Sequence, residues 1–372
     1  MDRGLFTFLV IALLCCVTAC RERSSDDAVD SWTIFRGDAS LSGYTDRELP
    51  DEPVLRWCFQ NNVRTVASPI IYNGTAFTCD RNGVVCGIDA EGNQCFKYDL
   101  QTIVEAPFLI RDSVMYIGRI DGYVTALSLR EKKMLWSFET EGQISASSNY
   151  VDGKVLVGSY DGNMYTLDSS NGNLVSHCET NSYINGAAAL WNEYMVFGGC
   201  DAWLRVVNTM TGESSDSLQM KAYIPASPAI VGDFTYVSDN AGNVYEIHLE
   251  GGKIKDHRIL VEVADENEEE GGSVSIPAVS NDAIFLFNGD RYICALDRKD
   301  GHELWRKMLK GNTGESSPLV CKDKLLVCTK NGHVSIFNTT DGKELWHYEA
   351  GEQIISSPAV IEGAFYILTS RG

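Results

Sequence analysis

A glycine returns about every forty residues along this chain, each time directly after a turn-forming residue. The pairs are Asn82-Gly83, Asp121-Gly122, Asp161-Gly162, Ala241-Gly242, Asn331-Gly332 and Arg371-Gly372, with Asp201-Ala202 and Gly289-Asp290 in the two slots between. Counted at the second residue of each pair, the steps are 39, 40, 40, 40, 48, 42 and 40. Eight copies of one unit therefore set the architecture, because a stacked repeat buries its faces on its neighbours rather than in one continuous core.

Each unit reads as a small sheet. Asn-Gly and Asp-Gly are hairpin signals, and a type I′ turn would need positive φ at both central residues. β-rich runs flank the turns, such as Val114-Met115-Tyr116-Ile117 before Gly122 and Tyr123-Val124-Thr125-Ala126-Leu127 after it. A further strand opens with small residues and often proline: Ser68-Pro69, Ala106-Pro107, Ser227-Pro228, Ile276-Pro277, Ser317-Pro318 and Ser357-Pro358. Proline is confined to strand starts and edges, and small residues suit a crowded centre, so this is the innermost strand. A fourth strand carries an aromatic: Phe96, Trp136, Trp305 and Trp346. No run of ten or more residues after position 20 has a helical apolar period. The expected fold is all-β, an eight-bladed β-propeller of four-stranded antiparallel blades.

The ring must close. Val54-Leu55-Arg56-Trp57-Cys58-Phe59 resembles an outer strand with its Trp but has no preceding partners. The last repeat supplies Ser357 to Ile361 and Phe365 to Thr369. The N-terminal segment is therefore expected to add the outer strand to the last blade. Its third strand should follow Gly372, so either Trp32-Thr33-Ile34-Phe35 fills the slot, or the sequence is truncated there or the last blade is imperfect.

Residues Leu5 to Val17 are almost continuously apolar and lead into Val17-Thr18-Ala19-Cys20. Thirteen residues are too few for a membrane span, which needs about 20, and suit a signal-peptide core. The ending resembles a bacterial lipobox, with Cys20 as the lipid attachment site. The bland alternative is an ordinary signal peptide with an incidental Cys. The expected organisation is 1–20 lipoprotein signal peptide, 21–31 flexible tether and 32–372 propeller. Acyl chains on Cys20 would hold the domain on a membrane. Arg21 in place of Asp leans toward the outer membrane, facing the periplasm.

The formal charge of −20 argues against nucleic-acid binding and favours partners with basic surfaces. Glu262, Asp265, Glu266, Glu268, Glu269 and Glu270 cluster in the one long step, as either a solvated loop or a docking element. Removing residues 1–20 leaves nine Cys, so at least one thiol is unpaired within the chain. Cys79 and Cys86 flank the Asn82-Gly83 turn symmetrically, which makes a disulfide feasible in a two-residue hairpin. For Cys58, Cys95, Cys200, Cys294, Cys321 and Cys328 the simpler reading is small apolar packing.

Catalytic signatures are missing from the sequence. The six His are scattered over different blade positions, and there is no H-E-x-x-H, G-x-S-x-G or P-loop. No catalytic, cofactor-binding or metal residues are expected, and no cofactor. Arg36-Gly37-Asp38 is an RGD string in the lead-in, read as chance or local structure.

The lead-in Trp32-Thr33-Ile34-Phe35-Arg36-Gly37-Asp38 with Ser42-Gly43, the Ser-Pro strand openings and the turn-plus-Trp units resemble propellers with PQQ-like (quinoprotein-like) repeats. The fullest units are Ala295 to Trp305 and Ile336 to Trp346. In that family they form a tryptophan-docking motif, so Trp57, Trp136, Trp305 and Trp346 are implied to pack between blades. One branch of the family comprises PQQ- and calcium-dependent dehydrogenases, longer and with an adjacent-Cys disulfide that has no counterpart here. The other includes the assembly factor BamB, lipoproteins with an eight-bladed propeller and no catalytic role. The resemblance thus implies a non-enzymatic, membrane-anchored monomer that binds envelope proteins, in outer-membrane protein assembly. The alternatives are a quinoprotein dehydrogenase or other channel-ligand enzyme, and a polymer-binding or sensory surface lipoprotein.

Overall fold

Every backbone amide in a strand needs a partner, and here the forty-residue unit supplies it locally. In the computed structural model, residues 30–61, 63–263, 275–289 and 291–371 are described. Cys20, the 1–20 leader, most of the tether and Asp265 to Glu270 lie outside them. The described chain has no helix; seven four-stranded antiparallel sheets form blades 1 to 7, spanning 70–99, 109–139, 149–179, 189–219, 229–261, 278–308 and 319–349. A two-residue strand, Tyr44–Thr45, adds in parallel to the innermost strand of blade 7. The eighth repeat forms only a two-stranded sheet, Ala359–Ile361 with Ala364–Tyr366.

The expected count of eight four-stranded blades is therefore corrected to seven. Two strands occupy the eighth position, and residues 54–59 form no strand. Trp32 does not fill that gap either, since it bridges to Ile71 on the innermost strand of blade 1.

The glycine turns differ in detail from the expected type I′. Gly83 Nα donates to Asp80 O at 3.0 Å, Asp80 Nα to Val84 O at 3.1 Å, and Cys79 pairs with Val85. The loop thus has three residues, with the glycine alone at positive φ (+85°), as in a type I turn followed by a bulge glycine. Gly122, Gly162, Gly242 and Gly332 repeat this at φ of +87° to +89°. The extra residue changes the pairing by one, and a one-residue slip sends a side chain to the other face. Cys86 consequently pairs with Thr78 rather than Cys79, and both thiols are free. The expected disulfide is not formed. Ala202 holds the glycine position at φ +63° with the same two hydrogen bonds, at 3.2 and 3.3 Å. Replacing Ala202 by Gly removes the left-handed strain. It should stabilise the protein by about 1 kcal/mol, measured as a higher denaturation midpoint; an unchanged midpoint would refute the strain.

The serine of the Ser-Pro openings links blade to blade. Ala187 Nα donates to Ser227 Oγ, Ile276 Nα to Ser317 Oγ and Ser317 Nα to Ser357 Oγ, at 2.8 to 3.0 Å. Ser357 Nα then donates to Ser68 Oγ at 3.0 Å, joining the eighth sheet to blade 1 and closing the ring.

Candidate functional site

The centre of the ring is filled at one end by the chain's own lead-in. Residues 30–48 run past the innermost strands in blade order, each accepting amides that those short strands leave unpaired. Ile71 Nα donates to Trp32 O, Ile110 to Thr33 O, Leu190 to Ala39 O, Ile230 to Ser40 O, Val279 to Ser42 O, Val320 to Gly43 O and Gly363 to Glu48 O, at 2.8 to 3.0 Å. Asn149 serves blade 3 through its side-chain amide, donating to Ala39 O at 2.7 Å. Arg36 is 1% exposed and stands at the middle of this plug. Its guanidinium donates to Leu41 O, Ser42 O, Pro277 O and Pro318 O. Burial pulls it down to about 9, with Asp38 opposing. Asp38 is pushed up by burial, against the hydrogen bonds of Ser42. The RGD string is therefore internal structure.

The docking motif is a recurring position. Trp136 Nε1 donates to Ser169 O at 3.0 Å and lies under Gly172, where a Cβ would come within 2.5 Å of the ring. Trp305 does the same with Thr339 O and Gly342, and Trp57 with Ala90 O and Gly92. Phe96 takes the place in blade 1, under the Nζ of Lys132 at 5.3 Å. Where the aromatic is missing, polar groups substitute: Asp216 Oδ2 accepts from Ile254 Nα, and Arg258 donates to Asp300 O at 2.9 Å. Trp346 instead faces Phe365 of the eighth sheet, 6.0 Å between ring centres.

With the plug at one end, the face carrying the glycine turns offers the exposed loops. Between blades the chain crosses on two residues with opposite roles. One is buried: Val104, Ile144, Ile184 and Ile224 are at most 1% exposed. The residue before it faces solvent while its carbonyl accepts from the next blade's turn. Ile120 Nα donates to Ile103 O, Tyr160 to Gln143 O, Cys200 to Tyr183 O and Asn240 to Tyr223 O, at 2.9 to 3.1 Å. Side chains on these loops thus sit on fixed backbone. Tyr183 is 56% exposed, Tyr223 41% and Ile103 42%. Tyr160 stacks on Tyr183 with ring centres 5.1 Å apart.

The acids of this face are mostly committed to the turns. Asp161 accepts from Glu141 Nα and the Tyr165 hydroxyl. Burial opposes the ionised Asp201, but Arg205 beside it holds its carboxyl below the usual range. Glu262, from the acidic cluster, pairs with Lys221. On the opposite face a groove of about 340 Å³ lies between blades 4 and 5, where Trp191 Nε1 donates to Asp233 Oδ1 at 3.0 Å and Glu193 and Glu250 flank it.

Among the described residues, the one group at metal-ligand spacing is Asp297, Asp300 and His302. It is exposed on the outer turn of blade 6, away from the channel, and His302 already pairs with Asp300 at 2.6 Å. These residues do not fit a channel-bound PQQ and calcium. Cys294, Cys321 and Cys328 are buried as expected, and burial pushes the last two up to about 12. Cys58 and Cys95 differ from expectation and are exposed.

A family model described as outer membrane protein assembly factor BamB matches residues 56–257 and 258–372. The BamB of Shewanella oneidensis is 22% identical over 336 residues, covering 82% of each chain. The crystal structure of BamB from Moraxella catarrhalis superposes with a TM-score of 0.73 at 20% identity, covering 86% of this chain and 98% of that one. A europium-containing methanol dehydrogenase has a TM-score of 0.78 at 13% identity, over 92% and 90%, which is likeness of fold alone. With its match running from residue 56 to 372, this chain belongs to the BamB family.

Proposed function

We propose that this protein is a non-enzymatic scaffold of the bacterial cell envelope that binds other proteins of outer-membrane protein assembly. In this reading residues 1–20 are a leader, Cys20 carries the lipid, 21–31 tether the domain at the outer membrane and 32–372 face the periplasm as a monomeric propeller. The related proteins named as assembly factors support the general role. The observation that carries the binding mode is the tyrosine group Tyr160, Tyr183 and Tyr223 on the glycine-turn face. Tyrosine supplies large contact area at little entropic cost and is enriched at interface hot spots, and loops with fixed backbone lose little freedom on binding. The net charge of −20 favours a basic partner surface.

The test is crosslinking in membranes. Tyr183→Ala together with Tyr223→Ala should reduce capture of an outer-membrane assembly protein by about thirtyfold, the loss of a hot spot of about 2 kcal/mol. The melting temperature should stay unchanged, because both side chains are exposed. Undiminished capture would remove this face from the proposal. Dye-linked dehydrogenase activity after adding PQQ and calcium would replace the scaffold reading with an enzymatic one.

A further inference from the structure

The groove between blades 4 and 5 lies where the repeat breaks its own pattern, and such breaks mark functional or strained places in an otherwise regular chain. The fourth strand of blade 4 carries Asp216 at the position of Trp136 in blade 2 and Trp305 in blade 6. No docking ring therefore fills this seam. Two aromatics stand at its edge instead, Trp191 at the end of the first strand of blade 4 and Tyr194 at the start of the second. The same hairpin position holds Tyr72 with Thr75 in blade 1, Val231 with Phe234 in blade 5 and Cys321 with Lys324 in blade 7. Blade 4 alone among the described repeats has aromatics on both sides, with ring centres 5.8 Å apart. Tyr194 is half-buried beneath Gly252, where a Cβ would come within 2.4 Å of its hydroxyl. That hydroxyl has no hydrogen bond among the described residues.

Two carboxylates, Glu193 and Asp233, line the same groove on pinned backbone. Thr209 donates Nα and Oγ1 to Glu193 O at 3.0 and 2.9 Å, and Leu249 Nα donates to Asp233 O at 2.7 Å. Trp191 Nε1 holds one oxygen of Asp233. Both residues are exposed, and neither carboxylate has a Lys or Arg partner among the described residues. Acids nearby and on the same face are paired, as Glu250 with Lys255 and Glu48 with Lys322. The volume of about 340 Å³ is at the small end of the range for ligand sites. Uncompensated carboxylates exclude an anion. They also do not converge as Asp297, Asp300 and His302 do, so they suit no single small ion. A longer cation with several N–H donors reaches both, and aromatic walls favour it further.

We propose that this groove binds an organic cation, a guanidinium or primary ammonium group, with its N–H donors on Glu193 and Asp233 and its alkyl stem along Tyr194. Such a group comes either from a basic side chain of a polypeptide or from a free polyamine. The site lies on the face opposite the tyrosine group and stands without it.

The probes are N-acetyl-arginine methylamide and spermidine, titrated into the full chain at about 0.15 M salt, where distant exposed charges are screened. Calorimetry should give saturable one-to-one binding, and the indole N–H resonance of Trp191, assigned with Trp191→Phe, should shift with it. The tighter probe names the source. The citrulline counterpart of the arginine probe keeps its shape without the charge and should bind at least about tenfold more weakly. Glu193→Gln combined with Asp233→Asn should weaken the charged probe by at least about tenfold as well. Asn keeps the acceptor for Trp191, so the melting temperature should not move. Asp282→Asn with Asp323→Asn removes the same charge from the equivalent turns of blades 6 and 7 and should leave binding unchanged. Absence of saturable binding by both probes, or an unmoved Trp191 resonance, would overturn the proposal. Equal weakening in the two double variants would overturn it too, reducing the attraction to net charge.

Discussion

Replacing Arg36 by Met should cost about 3–5 kcal/mol of stability and loosen the plug, although the substitution preserves much of the side chain's volume. The guanidinium donates to Pro277 O and Pro318 O, which lie just before the innermost strands of blades 6 and 7. It also holds Leu41 O and Ser42 O, the far side of its own turn. Each buried carbonyl stripped of a donor costs about 1–3 kcal/mol. The burden already placed on Arg36, whose ionised form is disfavoured by burial, is released in the mutant and offsets part of that loss. The net still favours the native residue, because the carbonyls keep their positions when the donor leaves. Arg36→Lys should fall between the two, since an ammonium cannot fork to carbonyls on several sides. The check is the urea midpoint, with proteolysis near residues 30–48 as a local probe. A loss below about 1 kcal/mol would show that the channel closes without this residue.

The parts of this fold that were legible are those a repeat writes into sequence. The glycine at the turn, the Ser-Pro opening and the docking Trp each answer a steric demand that few residues meet; spacing places the first two, and the resemblance to PQQ-like repeats implies the docking role of the third. Other parts depend on phase or on backbone. Asn-Gly fits a two-residue and a three-residue loop equally, and that single residue moved Cys86 off the face of Cys79. The plug was not legible because Arg36 binds carbonyls, which every residue has. Trp57 lies against Tyr366 and Gly92, but residues 54–59 do not form the expected outer strand, because a strand exists only when a neighbour pairs with it. The eighth blade consequently reads as a blade in sequence and forms two strands. The tyrosine face is written in no motif, although the repeat holds the clue. Aligned by forties, Ile103, Gln143, Tyr183 and Tyr223 precede the buried Val104, Ile144, Ile184 and Ile224, and a strict alternation of fixed and free residues marks a presenting loop.

The two best copies of the docking motif should respond very differently to the same mutation. Trp305 is 8% exposed, donates Nε1–H to Thr339 O at 2.8 Å, and lies beneath Gly342. Its ring fills the seam between blades 6 and 7, so Trp305→Ala leaves a cavity there and should cost about 3–5 kcal/mol. Trp305→Phe keeps most of the apolar contact and loses the hydrogen bond, at about 1 kcal/mol. Trp346 sits in an equal sequence context, yet it is only half-buried at the edge of the core, with the half-buried Phe365 and its own neighbour Tyr348 as its aromatic contacts. Less apolar surface leaves water contact here, and Trp346→Ala should cost about 1–2 kcal/mol. The comparison is made by denaturant midpoint on the full chain. Equal losses would mean that the tryptophan stabilises its own blade. A large difference would place the energy in the seam, where it depends on a complete blade on the far side.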